Sequence, residues 1–113
     1  MHEVGLCKTI LTIVCQKVVE KKLSCVKKIY LEIGQLASVD QSALIFSFNV
    51  ISNGTAAEKA ELEIIDIQGK AICDSCEKIN SVNQYGTACQ TCGSFFLRIT
   101  EGEEFRVKSM EVE

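Results

Sequence analysis

The run Cys73-Asp74-Ser75-Cys76, followed after twelve intervening residues by Cys89-Gln90-Thr91-Cys92, decides how this chain is read. Two residues between a pair of cysteines let a tight turn aim both sulfurs at one point, and two such turns facing each other make a tetrahedron. The intervening residues suffice for a short hairpin with Asn83-Gln84-Tyr85-Gly86 at its tip. Gly93, just after the fourth cysteine, lets the backbone curl so that amides point at sulfur. The pattern predicts one zinc ion held by Cys73, Cys76, Cys89 and Cys92; a rubredoxin-like iron or a redox dithiol pair are the competing chemistries. Four thiolates leave no open coordination position, so the expected role is structural.

The segment from Ala71 to about Leu97 has its own turn residues and few large apolar ones. It reads as an insertion that loses its order first when the metal is removed. Upstream, Val4, Cys7, Ile10, Leu11, Val14 and Val18 recur at three- and four-residue spacing and predict an amphipathic helix ending near Lys21-Lys22. Val26 to Ile33 alternates as a strand, with Ile29, Leu31 and Ile33 on one face and Gly34 ending it. Ser38-Val39-Asp40-Gln41 has the form of a capping box opening a second helix from Val39 to about Ser52, stopped by Asn53-Gly54. Glu61 to Ile67 is a second strand whose Ile64-Ile65 pair breaks alternation. In a third strand, Phe105 and Val107 fall out of phase with Met110 and Val112, which predicts a bulge around Lys108 or Ser109. The expected fold is α+β: a small three-stranded sheet from about 26–33, 61–68 and 103–112, two helices on one face, and an inserted zinc-ribbon-like lobe. The domains are then 1–70 with 98–113, and 71–97.

Composition narrows the function. The chain has 113 residues, 47 % of them hydrophobic, which suits one main domain with a small insertion. A formal charge of −3, made more negative by metal-bound thiolates, disfavours a general phosphate-binding face, and no nucleic-acid partner is expected. The cluster Lys17, Lys21, Lys22, Lys27 and Lys28 reads as a solvated helix end and strand start. Seven cysteines with no secretory leader and no run long enough to span a membrane point to a reducing cytoplasm. Cys7, Cys15 and Cys25 fall at or near apolar positions and read as packed thiols. There is no nucleophile–base pair and no phosphate-cradling glycine loop, so an enzyme is not expected.

His2, the chain's only histidine, stands next to the α-amino group. The amine of Met1, the amide nitrogen and the imidazole of His2 can form fused five- and six-membered chelate rings, a near-planar nitrogen set that suits nickel(II) or copper(II). Glu3 offers a fourth donor. A second-position histidine on a frayed, functionless terminus is the competing reading.

Several stretches together resemble the HypA/HybF nickel-insertion metallochaperones of NiFe-hydrogenase maturation. They are Met1-His2-Glu3, Ile33-Gly34-Gln35-Leu36-Ala37-Ser38-Val39-Asp40, Phe46-x-Phe48, the doubled Cys-x-x-Cys ending in Cys92-Gly93-Ser94, Gly102-Glu103-Glu104-Phe105 and Met110-Glu111-Val112-Glu113. The resemblance implies a nickel-binding α+β domain (1–70 and 98–113) that holds transferable nickel at Met1, His2 and Glu3, with Asp40 close to it, and a zinc lobe (71–97). It also implies a HypB-type GTPase partner, the hydrogenase large subunit as recipient, and urease maturation served in some members. Gln90 stands where the family commonly has proline, Glu77 replaces a frequent small residue, and no histidine flanks the cysteine pairs. The alternative from another class is a zinc-ribbon interaction module with no nickel role.

Overall fold

The computed structural model describes residues 2–112. In chain order the elements are α1 (His2–Glu20), β1 (Val26–Gly34), a 3-10 turn (Gln35–Ala37), α2 (Gln41–Ile51), β2 (Glu61–Ile67), β3 (Lys70–Cys73), β4 (Ile79–Ser81), β5 (Leu97–Glu101) and β6 (Phe105–Val112). They form two three-stranded sheets, in the orders β2-β1-β6 and β4-β3-β5. The chain divides into two compact units, residues 1–31 with 39–65 and 106–113, and residues 32–38 with 66–105. The expected α+β class, with its helices and first sheet, is what the chain adopts.

In the first unit the predicted spacing places Cys7, Ile10 and Val14 on the buried stripe of α1, and Leu44 and Phe48 on that of α2. These side chains and Val26, Ile29 and Leu31 of β1 are the largest fully buried apolar groups there, and the smaller Ala57 is buried as completely. Cys7 behaves as a packed thiol, its Sγ donating to the Leu44 carbonyl at 3.2 Å, and burial, with the Glu3 charge, pushes that thiol up. Ile64 and Ile65 are both half-buried, as a strand covered on two faces requires. In β6 Lys108 and Ser109 are both exposed, where the phase of the apolar positions slips.

The start of α2 differs from the sequence expectation. Ser38 takes a left-handed backbone (φ 56°) that closes the 3-10 turn, whereas a helix N-cap needs an extended one. Asp40, at φ −78° and ψ 102°, is the cap, and its Oδ1 accepts the Ala43 amide at 3.1 Å. Asp40→Ala is expected to cost about 1 kcal/mol and lower the melting temperature by about 4 °C, whereas Ser38→Ala leaves the helix cap intact. Thermal melts of the two variants separate these assignments.

The second unit has its own small core, in which Leu36, Ala71 and Val82 are buried and Leu97 and Ile99 pack against them. Gly34 is tied there, its amide donating to the Glu104 carbonyl at 2.8 Å, and a Cβ added at Gly34 would lie 2.0 Å from the Gly102 carbonyl oxygen. Only a glycine lets the two backbones approach this closely. The expected hairpin between the cysteine pairs is not the one that forms. Instead β3 and β4 pair antiparallel across the first cysteine pair, with Ala71 opposite Asn80, and β5 pairs with the other edge of β3. The cysteine turn itself reverses the chain into β4, and the expected turn at Asn83-Gln84-Tyr85-Gly86, where Gly86 takes φ 81°, leads on to Cys89 without pairing strands of its own.

Candidate metal centres

Each cysteine pair sits on a knuckle built the same way. In the first, the Cys73 amide donates to the Lys78 carbonyl (3.0 Å) and the Glu77 amide to the Cys73 carbonyl (2.8 Å). In the second, the Cys89 amide donates to Ser94 (2.7 Å) and the Gly93 amide to Cys89 (2.9 Å). These two turns swing further amides onto sulfur, with Cys76 N–H donating to Cys73 Sγ and Thr91 N–H to Cys89 Sγ, both at 3.4 Å. Both knuckles need a left-handed residue after the second cysteine. Gly93 supplies it at φ 76°, as its position in the sequence predicts, but Glu77 supplies it at φ 65°. A side chain there costs about 1 kcal/mol. Glu77→Gly is therefore expected to stabilise this turn by up to about that amount, seen as a higher melting temperature of the metal-loaded protein.

The four sulfurs lie within 4.8 Å of one another. Cys73 and Cys92 are 3.6 Å apart, as are Cys76 and Cys89. A tetrahedral ion with metal–sulfur bonds of about 2.3 Å needs sulfurs about 3.8 Å apart, so the cage fits a tetrathiolate ion after shifts of a few tenths of an ångström. Tetrahedral S4 coordination selects zinc or iron over harder cations. Burial divides the cage, since Cys73 and Cys89 are buried, Cys76 is half-buried and Cys92 exposed.

Electrostatics follows the amides. The Cys76 amide holds the Cys73 thiol below its ordinary range, and the amides of Cys92 and Thr91 bring Cys89 down to about 6. At Cys76 the Lys78 amide pulls downward, but burial and the neighbouring sulfurs outweigh it and push this thiol up to about 12. Four negative sulfurs so close together repel one another, and a divalent cation is what removes that repulsion.

Of the other residues singled out from sequence, His2 and Glu3 open α1 and Asp40 caps α2. Met1 falls outside the described residues. The imidazole Nδ1 of His2 is 3.5 Å from Glu3 Oε2, and the same oxygen accepts the Asp40 amide at 3.2 Å. That amide, together with the amide of Glu3 itself, holds the Glu3 carboxyl below its ordinary range. The structure thus brings His2, Glu3 and Asp40 together, with one Asp40 carboxylate oxygen engaged as the cap of α2. Cys15 and Cys25 are half-buried and lie outside the sulfur cluster.

Sequence reasoning missed Asn80. It is 3 % exposed in the middle of β4 while its neighbour Ile79 is 72 % exposed, the reverse of what hydropathy dictates. Nothing in the local pattern marks it. Gln90 also changes meaning, because its backbone N–H donates to Asn80 Oδ1 at 2.8 Å, a bond that a proline at this position has no hydrogen to make.

The fold and the sulfur cage define a small α+β metal-binding protein. A family model described as hydrogenase/urease nickel incorporation, metallochaperone, hypA, matches residues 1–112. The chain is 53 % identical over its full 113 residues to a hydrogenase maturation factor HypA of Legionella pneumophila (strain Corby), and 43 % to one of Acidithiobacillus ferrooxidans, with the whole of both chains covered in each case. Two solved structures share the fold. One is the solution structure of the Ni metallochaperone HypA from Helicobacter pylori, at TM-score 0.69 and 22 % identity, covering 97 % of this chain and 96 % of that one. The other is the solution structure of a HypA protein, at TM-score 0.73 and 23 % identity, covering 100 % and 97 %. The chain belongs to the HypA family of hydrogenase/urease nickel-incorporation metallochaperones, which are metal carriers and not enzymes. No helix among the described residues is long and apolar enough to cross a membrane.

Proposed function

We propose that this protein binds nickel(II) through Met1, His2 and Glu3 and helps deliver it to the NiFe-hydrogenase large subunit in the cytoplasm, while a zinc ion on Cys73, Cys76, Cys89 and Cys92 supports the lobe of residues 71–97. The reading is carried by His2, the only histidine, which is largely exposed at the start of α1 beside the Glu3 carboxylate. The α-amine, amide nitrogens and imidazole of such a terminus wrap a borderline cation in fused chelate rings. Because an amide must lose its proton to bind, affinity falls as pH drops. Few side chains are committed to the ion, so it can pass to a better-formed pocket by ligand exchange. Asp40 lies within a hydrogen bond of Glu3 and acts as an outer support of the site. The partners consistent with the family are a HypB-type GTPase and the large subunit, with urease maturation proteins as a second recipient system.

His2→Ala is expected to weaken nickel binding by at least 100-fold while leaving zinc content and fold unchanged, measured by nickel titration of untagged protein and by elemental analysis. Unchanged nickel affinity in that variant would falsify the assignment. An N-terminal extension, which removes the free amine, is expected to impair nickel binding in the same way.

A further inference from the structure

Burying a carboxamide costs about 1–3 kcal/mol unless its polar atoms are hydrogen-bonded, and Asn80 is almost completely buried. Three contacts account for it. Its Oδ1 accepts the Gln90 backbone N–H at 2.8 Å, and its Nδ2 donates to the Lys78 carbonyl at 3.3 Å and to Cys89 Sγ at 3.5 Å. The orientation of the amide is set by chemistry. A backbone N–H can only donate, so the atom facing Gln90 is the oxygen, and the nitrogen must face sulfur.

We propose that Asn80 is a positioning residue of the four-sulfur centre, whose carboxamide clamps Cys89 from both sides of the knuckle by donating to its sulfur and holding the following amide. This rests on the reading of the four cysteines as the ligands of one ion. An N–H directed at a thiolate spreads part of its charge and lowers the repulsion among four sulfurs around a dication. Among the described residues Cys89 is the one sulfur of the four with a side-chain N–H directed at it. Exposed Cys92 has no such clamp, so the cage is rigid at Cys89 and looser at Cys92. The β3–β4 pairing makes the clamp possible, because the register that sets Asn80 opposite buried Ala71 turns Asn80 inward and Ile79 outward.

The test uses the full chain loaded with spin-active cadmium, and the Asn80→Asp variant loaded with zinc. In the parent, Asn80 side-chain amide protons are expected to show scalar coupling to cadmium through the hydrogen bond to Cys89, as the Thr91 amide should. In Asn80→Asp the acceptor for Gln90 is kept but the N–H is replaced by an oxygen facing a thiolate, and zinc release to a chelator is expected to be at least about 10-fold faster. A variant that released zinc at the parent rate would overturn the proposal. So would a parent in which Thr91 couples to cadmium and Asn80 does not, and that measurement decides the matter if the variant fails to fold. Failure of the parent to bind cadmium through four sulfurs would instead remove the metal-site reading itself.

Discussion

Cys89→Ser is expected to strip the metal from the sulfur cage and melt residues 66–105. Serine keeps the shape of the side chain but presents a neutral hydroxyl, a far poorer ligand for a soft, four-sulfur site. The local stakes are high because three buried side chains, one of them an alanine, make up the apolar core of this unit, with two half-buried ones against it. Ordering each residue of the lobe costs about 1–2 kcal/mol in backbone entropy, and structural zinc sites supply an apparent 10–16 kcal/mol or so at neutral pH. Without the ion, the two knuckles are left face to face only by weak polar contacts such as Ser75 Oγ to Ser94 Oγ and Asn80 to Gln90 and Cys89. Elemental analysis should show metal content falling from one per chain to near zero. Amide resonances of residues 66–105 should collapse toward random-coil positions, while those of α1 and α2 stay dispersed. A chelator added to the parent should do the same. Cys15→Ser, outside the cluster, serves as the control and should keep its metal. A Cys89→Ser protein with full metal content and a dispersed lobe would mean that the cage is not the scaffold of this unit.

Phe48→Ala should produce the largest loss of stability in the helical unit. Phe48 is 0 % exposed and heads the fully buried side chains by volume, so removing its ring leaves a cavity lined by side chains that collapse only in part. The expected cost is about 3–5 kcal/mol, a large share of the 5–15 kcal/mol or so that holds a typical domain together. The corresponding fall in melting temperature is roughly 15 °C. Phe46, two residues away in the same motif, is 71 % exposed, and Phe46→Ala should change stability by no more than about 0.5 kcal/mol. Denaturant melts of the two variants separate them, and equal losses would show that α2 is packed with a different face inward.

The contrast between Phe46 and Phe48 shows how far sequence alone carries. Leu44 and Phe48 are four residues apart and therefore share a helix face. The same local rules give α1, β1, β2 and the slip in β6. They also place the four cysteines, because a tetrahedral site needs two paired turns and the spacing supplies them. The cap of α2 was harder, since Ser38 and Asp40 are both good cap residues. The choice fell to the 3-10 turn, which forces Ser38 into the left-handed region.

What the amino-acid sequence determined by itself is therefore what depends on neighbours a few residues apart: helix periodicity, strand alternation and the geometry of a Cys-x-x-Cys turn. Tertiary structure alone decided that β5 pairs with the other edge of β3, that Asn80 faces sulfur while Ile79 faces water, and that Gly34 meets the backbone of Gly102. Each of these depends on partners beyond the few-residue window of a helix turn or an alternating strand, from nine residues apart for Asn80 and Cys89 to residues 34 and 102. A buried amide or a missing Cβ takes its meaning from what lies across that gap, which local propensity does not encode.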